Sequence, residues 1–176
     1  MPLYSFEGRV PQVHTSAFVA PTATLIGEVI VEEGASVWYG AVLRADFSPV
    51  IVRAGANVQD GAVIHGPPDL PTEVGPRATV AHLCVVHGAT LGQECLIANG
   101  ATVLDGARIG ARTLVAAHSL VAAGADIPPD VLAAGSPAVV KRALPGTPAE
   151  FWVKNNPAAY AELARRHARG VTPVDG

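Results

Sequence analysis

Aromatic side chains, charge, cysteine and long apolar runs are all scarce in this chain, and each shortage removes a class of protein. Phe, Trp and Tyr make up 5% of 176 residues although 49% are hydrophobic. Val, Ala, Leu and Ile must therefore fill the interior, which suits a narrow core rather than a bulky one. Two cysteines, Cys84 and Cys95, are too few for a disulfide framework. Twelve basic residues against fifteen acidic ones leave a net charge of −3 with no basic run, so the footprint of a nucleic-acid binder is missing. No stretch of about 18 uninterrupted apolar residues is present, and no membrane span is expected. Met1 to Arg9 lacks a charged start followed by an apolar stretch. No export signal is expected there, and the expected compartment is cytoplasmic.

What is present is a period of six. From Val13, steps of six reach Val19, Leu25, Val31, Val37 and Leu43, every one aliphatic. The column resumes as Val52, Val58 and Ile64, then Val74, Val80 and Val86, then Leu91, Ile97, Val103, Ile109, Val115 and Val121. Four places after each stands a smaller residue: Ala17, Ala23, Val29, Ala35 and Ala41, later Ala56, Ala62, Ala78, Cys84 and Thr90, then Cys95, Ala101, Ala107, Thr113 and Ser119. Six matches neither the 3.6 of a helix nor the alternation of a two-sided strand. It matches a solenoid in which each hexapeptide is a short strand plus a corner, three of them closing one triangular coil. Both cysteines fall in the small inward column and are expected to be core thiols.

This pattern resembles the hexapeptide-repeat superfamily, which implies an all-β solenoid, a left-handed parallel β-helix. The handedness comes from the resemblance, since ordinary parallel crossovers are right-handed. The expected organisation is a β-helix domain over residues 1–140 and a C-terminal helical segment over 141–176, packed on the solenoid as a C-terminal α-helix. The stretch Gly135-Ser136-Pro137-Ala138-Val139-Val140-Lys141-Arg142 belongs to the same resemblance. Pro148 to Arg169 holds good helix formers, with Phe151, Trp152, Tyr160, Leu163 and Ala164 as expected apolar anchors. Asn156-Pro157 is expected to open a second helix, because Pro suits a first helical turn.

The period also converts sequence distance into position. Three residues are extra between Leu43 and Val52, four between Ile64 and Val74, and one is missing between Val86 and Leu91. With those irregularities removed, His65 and His87 lie one full coil apart and Arg44 lies one coil before His65, all in one column. Asp60, His82 and Asn99 form a second column on another side. Two imidazoles one rung apart, about 4.8 Å, can share an ion whose ligand nitrogens stand about 2.0–2.1 Å away. His82 lies around a corner, roughly 15 Å from His87 at about 3.3 Å per residue. To join the same ion it must come from another subunit, and a closed homotrimer is the expected assembly. His14, His118 and His167 are expected to be ordinary surface or interface residues.

Leu43-Arg44-Ala45-Asp46, Asn57-Val58-Gln59-Asp60 leading to Ile64-His65-Gly66, and His82 followed by His87-Gly88 resemble the signature of the gamma-class carbonic anhydrase family. The resemblance covers nearly the whole chain from about Pro11. It implies zinc, with iron or cobalt as alternatives, held by His65 and His87 of one subunit and His82 of its neighbour. It implies a lyase: reversible hydration of carbon dioxide to bicarbonate by a metal-bound hydroxide, formed because the metal lowers the pKa of its water to about 7. Gln59 would orient hydroxide or substrate, and Asn57 would support it. Arg44, Asp46 and Asp60 would form ion pairs between subunits that steady the ligands, and Tyr160 would approach from the C-terminal helix. The chain departs from active members in two places. Phe47 follows Asp46 where they carry a glutamate, and the loop Gly66-Pro67-Pro68-Asp69-Leu70-Pro71-Thr72-Glu73 is short and proline-stiffened where theirs is acidic and shuttles protons. Turnover is therefore expected to be slow or absent.

Two other classes compete. One is an acyltransferase or thioesterase acting on a coenzyme A thioester in the cleft between subunits, with one histidine as general base. The other is a non-catalytic trimeric binding module, favoured by the missing acidic residues and opposed by the full set of histidines.

Overall fold

Each hexapeptide makes a strand of two or three residues and then a tight corner, so successive strands turn to the next side of a triangular coil. The computed structural model describes residues 2–174; Met1, Asp175 and Gly176, which fall within the two expected segments, lie outside the described residues. One side is a sheet that runs from Phe18–Val19 through Ser36–Val37, Asn57–Val58, Thr79–Val80, Leu96–Ile97 and Leu114–Val115 to Val131–Gly135. The other two sides share a 12-stranded sheet. They are joined because Thr24–Val31 and Val42–Val52 run around a corner without a break. The named strands pair in parallel except at the end, where Ala138–Ala143 folds back antiparallel on Val131–Gly135 and finishes the last coil. The chain is thus a parallel β-solenoid with one C-terminal helix.

The aliphatic column fills the axis. Leu25, Val37, Leu43, Val58, Ile64, Val80, Val86, Ile97 and Val115 are fully buried, whereas Val13 and Val19, in the first coil, are only partly covered. The small column follows it inward with one correction. Thr90, expected inside, is exposed, and Ala89 takes its place. The five-residue step from Val86 to Leu91 moves the small residue back by one, because its inward position lies two places before the next aliphatic residue.

The irregular steps carry functional side chains out of the wall. Gly27 pairs with Ala45 and Val29 with Val50, so the three extra residues bulge between the two registers. That bulge presents Asp46 and Phe47. Gly27 is required at its entrance: its φ is +75°, and an added Cβ would stand 2.3 Å from the Ala45 carbonyl oxygen.

One helix, Glu150–Gly170, lies against the side that holds Phe18–Val19, Ser36–Val37, Asn57–Val58 and Thr79–Val80. The expected second helix at Asn156-Pro157 is corrected, since Pro157 sits inside this continuous helix. An interior proline costs about 3 kcal/mol in an open helix. Here Pro157 is buried against the solenoid with Val153 and Ala164, so packing of that stripe offsets the lost hydrogen bond. Phe151 and Trp152 stand off the stripe and are 59% and 57% exposed, so they are not the anchors the composition suggested. His167, expected at a surface or an interface, packs edge-on to Trp38 and meets Tyr39 Oη at 3.0 Å. No helix among the described residues is long and apolar enough to cross a membrane.

Candidate active site

Arg44 pairs with His65 and His65 with His87 on adjacent strands, so the first column stands where the spacing places it. His65 Nδ1 and His87 Nε2 are 2.9 Å apart. His65 Nε2 lies 2.8 Å from Asp46 Oδ1, and Asp46 Oδ2 accepts from Arg44. His87 Nδ1 meets Asp105 Oδ1. A polar chain Arg44, Asp46, His65, His87, Asp105 therefore runs along one face. Burial opposes the charge on Asp46, but hydrogen bonds from His65 and Arg44 outweigh it and hold its carboxyl below the usual carboxylate range. Phe47 sets its ring 6.3 Å from that of His65. Asp105 was missed by sequence reasoning. Val86 pairs with Val103, which makes Leu104 the column mate of His87 and leaves Asp105 one place beyond. Its uncorrected separation of one coil length from His87 was the available signal.

The second column lies around the corner. Asn57 and Val58 pair with Thr79 and Val80, and Val80 pairs with Ile97, which stacks Asp60, His82 and Asn99 in the turns that follow. His82 Nδ1 is 3.0 Å from Asp60 Oδ2, and its Nε2 is 3.3 Å from Tyr160 Oη on the helix. Tyr160 stands edge-on to Trp38 with ring centroids 5.3 Å apart. Burial, then the charge of Asp60, push its phenol above the usual range. Beneath them Gln59 Nε2 donates to Asn57 Oδ1 at 2.9 Å, and Asn57 Nδ2 donates to Thr79 Oγ1 at 2.9 Å. Thr79 carried no mark in the sequence beyond preceding an inward valine.

Gln59, His82, Asn99 and Tyr160 open onto one cavity of about 420 Å³ between the solenoid and the helix. Ala81, Ala98, Leu96 and Leu114 line it from the solenoid, and Trp152 and Asn156 from the helix. The solenoid side is open because alanine follows the inward aliphatic residue in these coils, where Trp38 and Gln59 stand in earlier ones. An imidazole whose Nδ1–H is held by a carboxylate turns its Nε2 lone pair outward. In His82 that nitrogen faces Tyr160 Oη at the cavity.

No protein-family model matches the chain. A hexapeptide transferase family protein from Anaplasma phagocytophilum is similar at TM-score 0.88 and 34% identity, over 93% of this chain and 96% of that one. The chain belongs to the hexapeptide transferase family. A second relative of this hexapeptide fold, a Bacillus cereus protein provisionally described as an acetyltransferase, is similar at TM-score 0.91 and 34% identity, over 94% of this chain and 95% of that one. The carnitine operon protein CaiE of Escherichia coli O157:H7 is 45% identical over 107 residues, 60% of this chain. The chain spans about half the length of the curated relatives it matches, 54% in that case.

Geometry and relatives together correct two expectations. The first is the metal: the zinc expected from the resemblance is not supported. His65 and His87 turn one nitrogen each toward the other ring and one toward Asp46 or Asp105, while His82 stands on another side of the coil with Asp60 and Tyr160. Among the described residues no group of three or more His, Cys, Asp or Glu side chains could hold a metal ion. Iron and cobalt need the same lone pairs and are corrected with zinc. The second correction is the lyase. Relatives of this hexapeptide chain that match it nearly end to end are named for transfer, one of them for acetyl transfer, which points away from gamma-class carbonate dehydratase.

Proposed function

We propose that the chain is an acyltransferase that takes its acyl group from a coenzyme A thioester, with His82 as general base. The observation that carries the reading is the His82 to Asp60 contact of 3.0 Å at the edge of a cavity lined largely by apolar side chains. Asp60 holds Nδ1–H and leaves Nε2 to accept the proton of the attacking nucleophile; the proton then passes to the departing thiolate. Tyr160 Oη meets Nε2 in the resting enzyme and yields that position to the acceptor. Leu96 and Leu114 give the acyl group an apolar wall, and Asn99 offers a polar contact beside His82. The acetyltransferase designation of the Bacillus cereus relative supports this class of reaction.

The same reading includes a homotrimer. Phe47, Val63 and Leu83 are 59%, 41% and 70% exposed, and apolar outcrops of this kind mark contact surfaces. Arg44, Asp46, His65 and His87 would then form the polar part of that contact, a role in assembly. The decisive experiment incubates the purified chain with acetyl coenzyme A and a panel of amine and hydroxyl acceptors and follows release of free thiol. His82→Ala should slow release by about 10²–10⁴-fold. An unchanged rate in that variant, or no binding of acetyl coenzyme A by calorimetry, overturns the proposal.

A further inference from the structure

Tyr160 and His167 lie on one face of the C-terminal helix, about two turns apart, and Trp38 of the solenoid packs against both. The indole meets Tyr160 edge-on with centroids 5.3 Å apart and His167 edge-on at 5.0 Å. Trp38 is itself fixed: it is buried, its Nε1 donates to Ser36 Oγ at 3.0 Å, and the Phe18 ring lies 5.2 Å away. His167 Nδ1 is hydrogen-bonded in turn to Tyr39 Oη at 3.0 Å. The rest of this half of the helix is loosely covered. A groove of about 460 Å³ adjoins Ala161, Arg165 and Ala168, and a cavity of about 290 Å³ adjoins His167 and Val171. Its attachment is therefore concentrated in the cluster of Phe18, Trp38, Tyr39 and His167.

We infer that Trp38, Tyr39 and His167 are positioning residues that set, through Tyr160, when His82 is free to act, an inference that rests on the acyltransfer reading for what the freed nitrogen does. Asp60 accepts from His82 Nδ1, so Nε2 carries the lone pair, and the Tyr160 phenol donates to it at 3.3 Å. While that contact lasts the base is blocked. The Tyr160 ring is packed against Trp38, so Oη withdraws when the helix shifts. The Tyr160 contact to His82 and the Tyr39 contact to His167 thus belong to one docked helix. Weakening the far contact raises the fraction of molecules in which the near one is open, and the apparent affinity for anything that binds at Nε2 rises with that fraction.

The test follows carbethoxylation of each histidine of the full chain by diethyl pyrocarbonate at neutral pH, read by peptide mass mapping; the reagent attacks an imidazole lone pair. His14, exposed on the first coil, is the reference, and His65, buried in the other column, reports general loosening. Tyr39→Phe keeps the ring and removes the hydrogen bond to His167. It should speed His82 about fivefold relative to His14, the effect of one neutral hydrogen bond, and leave His65 unmoved. His167→Phe removes the same bond from the other side and should match it. Tyr160→Phe, which takes away the oxygen over Nε2, should speed His82 at least as much. Adding Tyr39→Phe to Tyr160→Phe should then bring no further gain, because both act through one contact. A His82 rate unmoved by Tyr39→Phe, gains that multiply in the double variant, or equal acceleration of His65 overturns the inference. Coupled labelling in a chain that releases no thiol from acetyl coenzyme A upholds the coupling and removes the acyltransfer reading. Thiol release that depends on His82, with labelling unmoved by Tyr39→Phe, removes the inference alone.

Discussion

His82 Nδ1 stands 3.0 Å from Asp60 Oδ2, one coil apart in the same column. The contact sets which imidazole nitrogen is basic, so it is more sensitive to chemistry than to shape. Asp60→Asn keeps the volume but offers an amide that can donate to Nδ1, which moves the proton to Nε2 and disables the base. We expect kcat for thiol release to fall by about 10²–10⁴-fold. KM for acetyl coenzyme A and the circular dichroism spectrum should stay near wild type. A kcat within threefold of wild type would remove Asp60 from the mechanism.

Leu83 is 70% exposed at a corner beside Asp60 and His82. In the proposed homotrimer it is covered by a neighbour, and a charge there cannot be desolvated cheaply. Leu83→Glu should convert the assembly to monomers, measured by light scattering on a size-exclusion column. It should leave the chain folded, because Leu83 takes no part in the core. A trimer that survives this change places the interface elsewhere.

The period of six made most of the geometry legible, because it turned residue separations into rungs. It brings Arg44, His65 and His87 into one column and Asp60, His82 and Asn99 into another. Its two failures share a cause. The five-residue step between Val86 and Leu91 turned Thr90 outward and Ala89 inward, and it hid Asp105 behind Leu104. What the period does not encode is the docking of the helix: the approach of Tyr160 came from the family resemblance, and the exposure of Trp152 was not legible. Pro157 read as a boundary for the same reason: its burial against the solenoid is a tertiary effect that overrides local preference. The metal expectation failed at a finer level. Spacing can stack two imidazoles, but stacking two does not make a set of three ligands.

Cys84 and Cys95 occupy the inward column, and burial pushes their thiols up to about 11 and about 12 from an ordinary value of 9.0. Backbone hydrogen bonds only partly oppose that rise. The folded chain therefore holds these protons more tightly than the unfolded chain does. The stability they contribute is full below about pH 9 and is lost as pH rises through 11 to 12. At pH 8 a chromogenic disulfide should label neither thiol in the native chain and both in guanidinium. The urea midpoint should drop on the alkaline side, and Cys84→Ala with Cys95→Ala should flatten that drop. Rapid labelling of the native chain at pH 8 would show that the inward column is open to solvent.

Gly27 and Gly34 both adopt a positive φ, +75° and +64°, but their surroundings differ. A Cβ at Gly34 meets nothing within 4 Å, whereas one at Gly27 meets the Ala45 carbonyl oxygen at 2.3 Å. Gly34→Ala therefore isolates the cost of a left-handed backbone in a residue with a side chain, about 1–2 kcal/mol. Gly27→Ala adds a clash with backbone, which cannot rotate away. Relief requires Thr24–Val31 and Val42–Val52 to separate where the bulge carrying Asp46 begins. We expect Gly27→Ala to lose clearly more stability than Gly34→Ala in urea unfolding, by at least about 1 kcal/mol. The distortion should weaken the Asp46 contact to His65 without reaching His82, which stands on another side of the coil. Equal losses at the two glycines would mean that the neighbouring coil gives way freely, and the close approach to Ala45 would then not be what fixes the bulge.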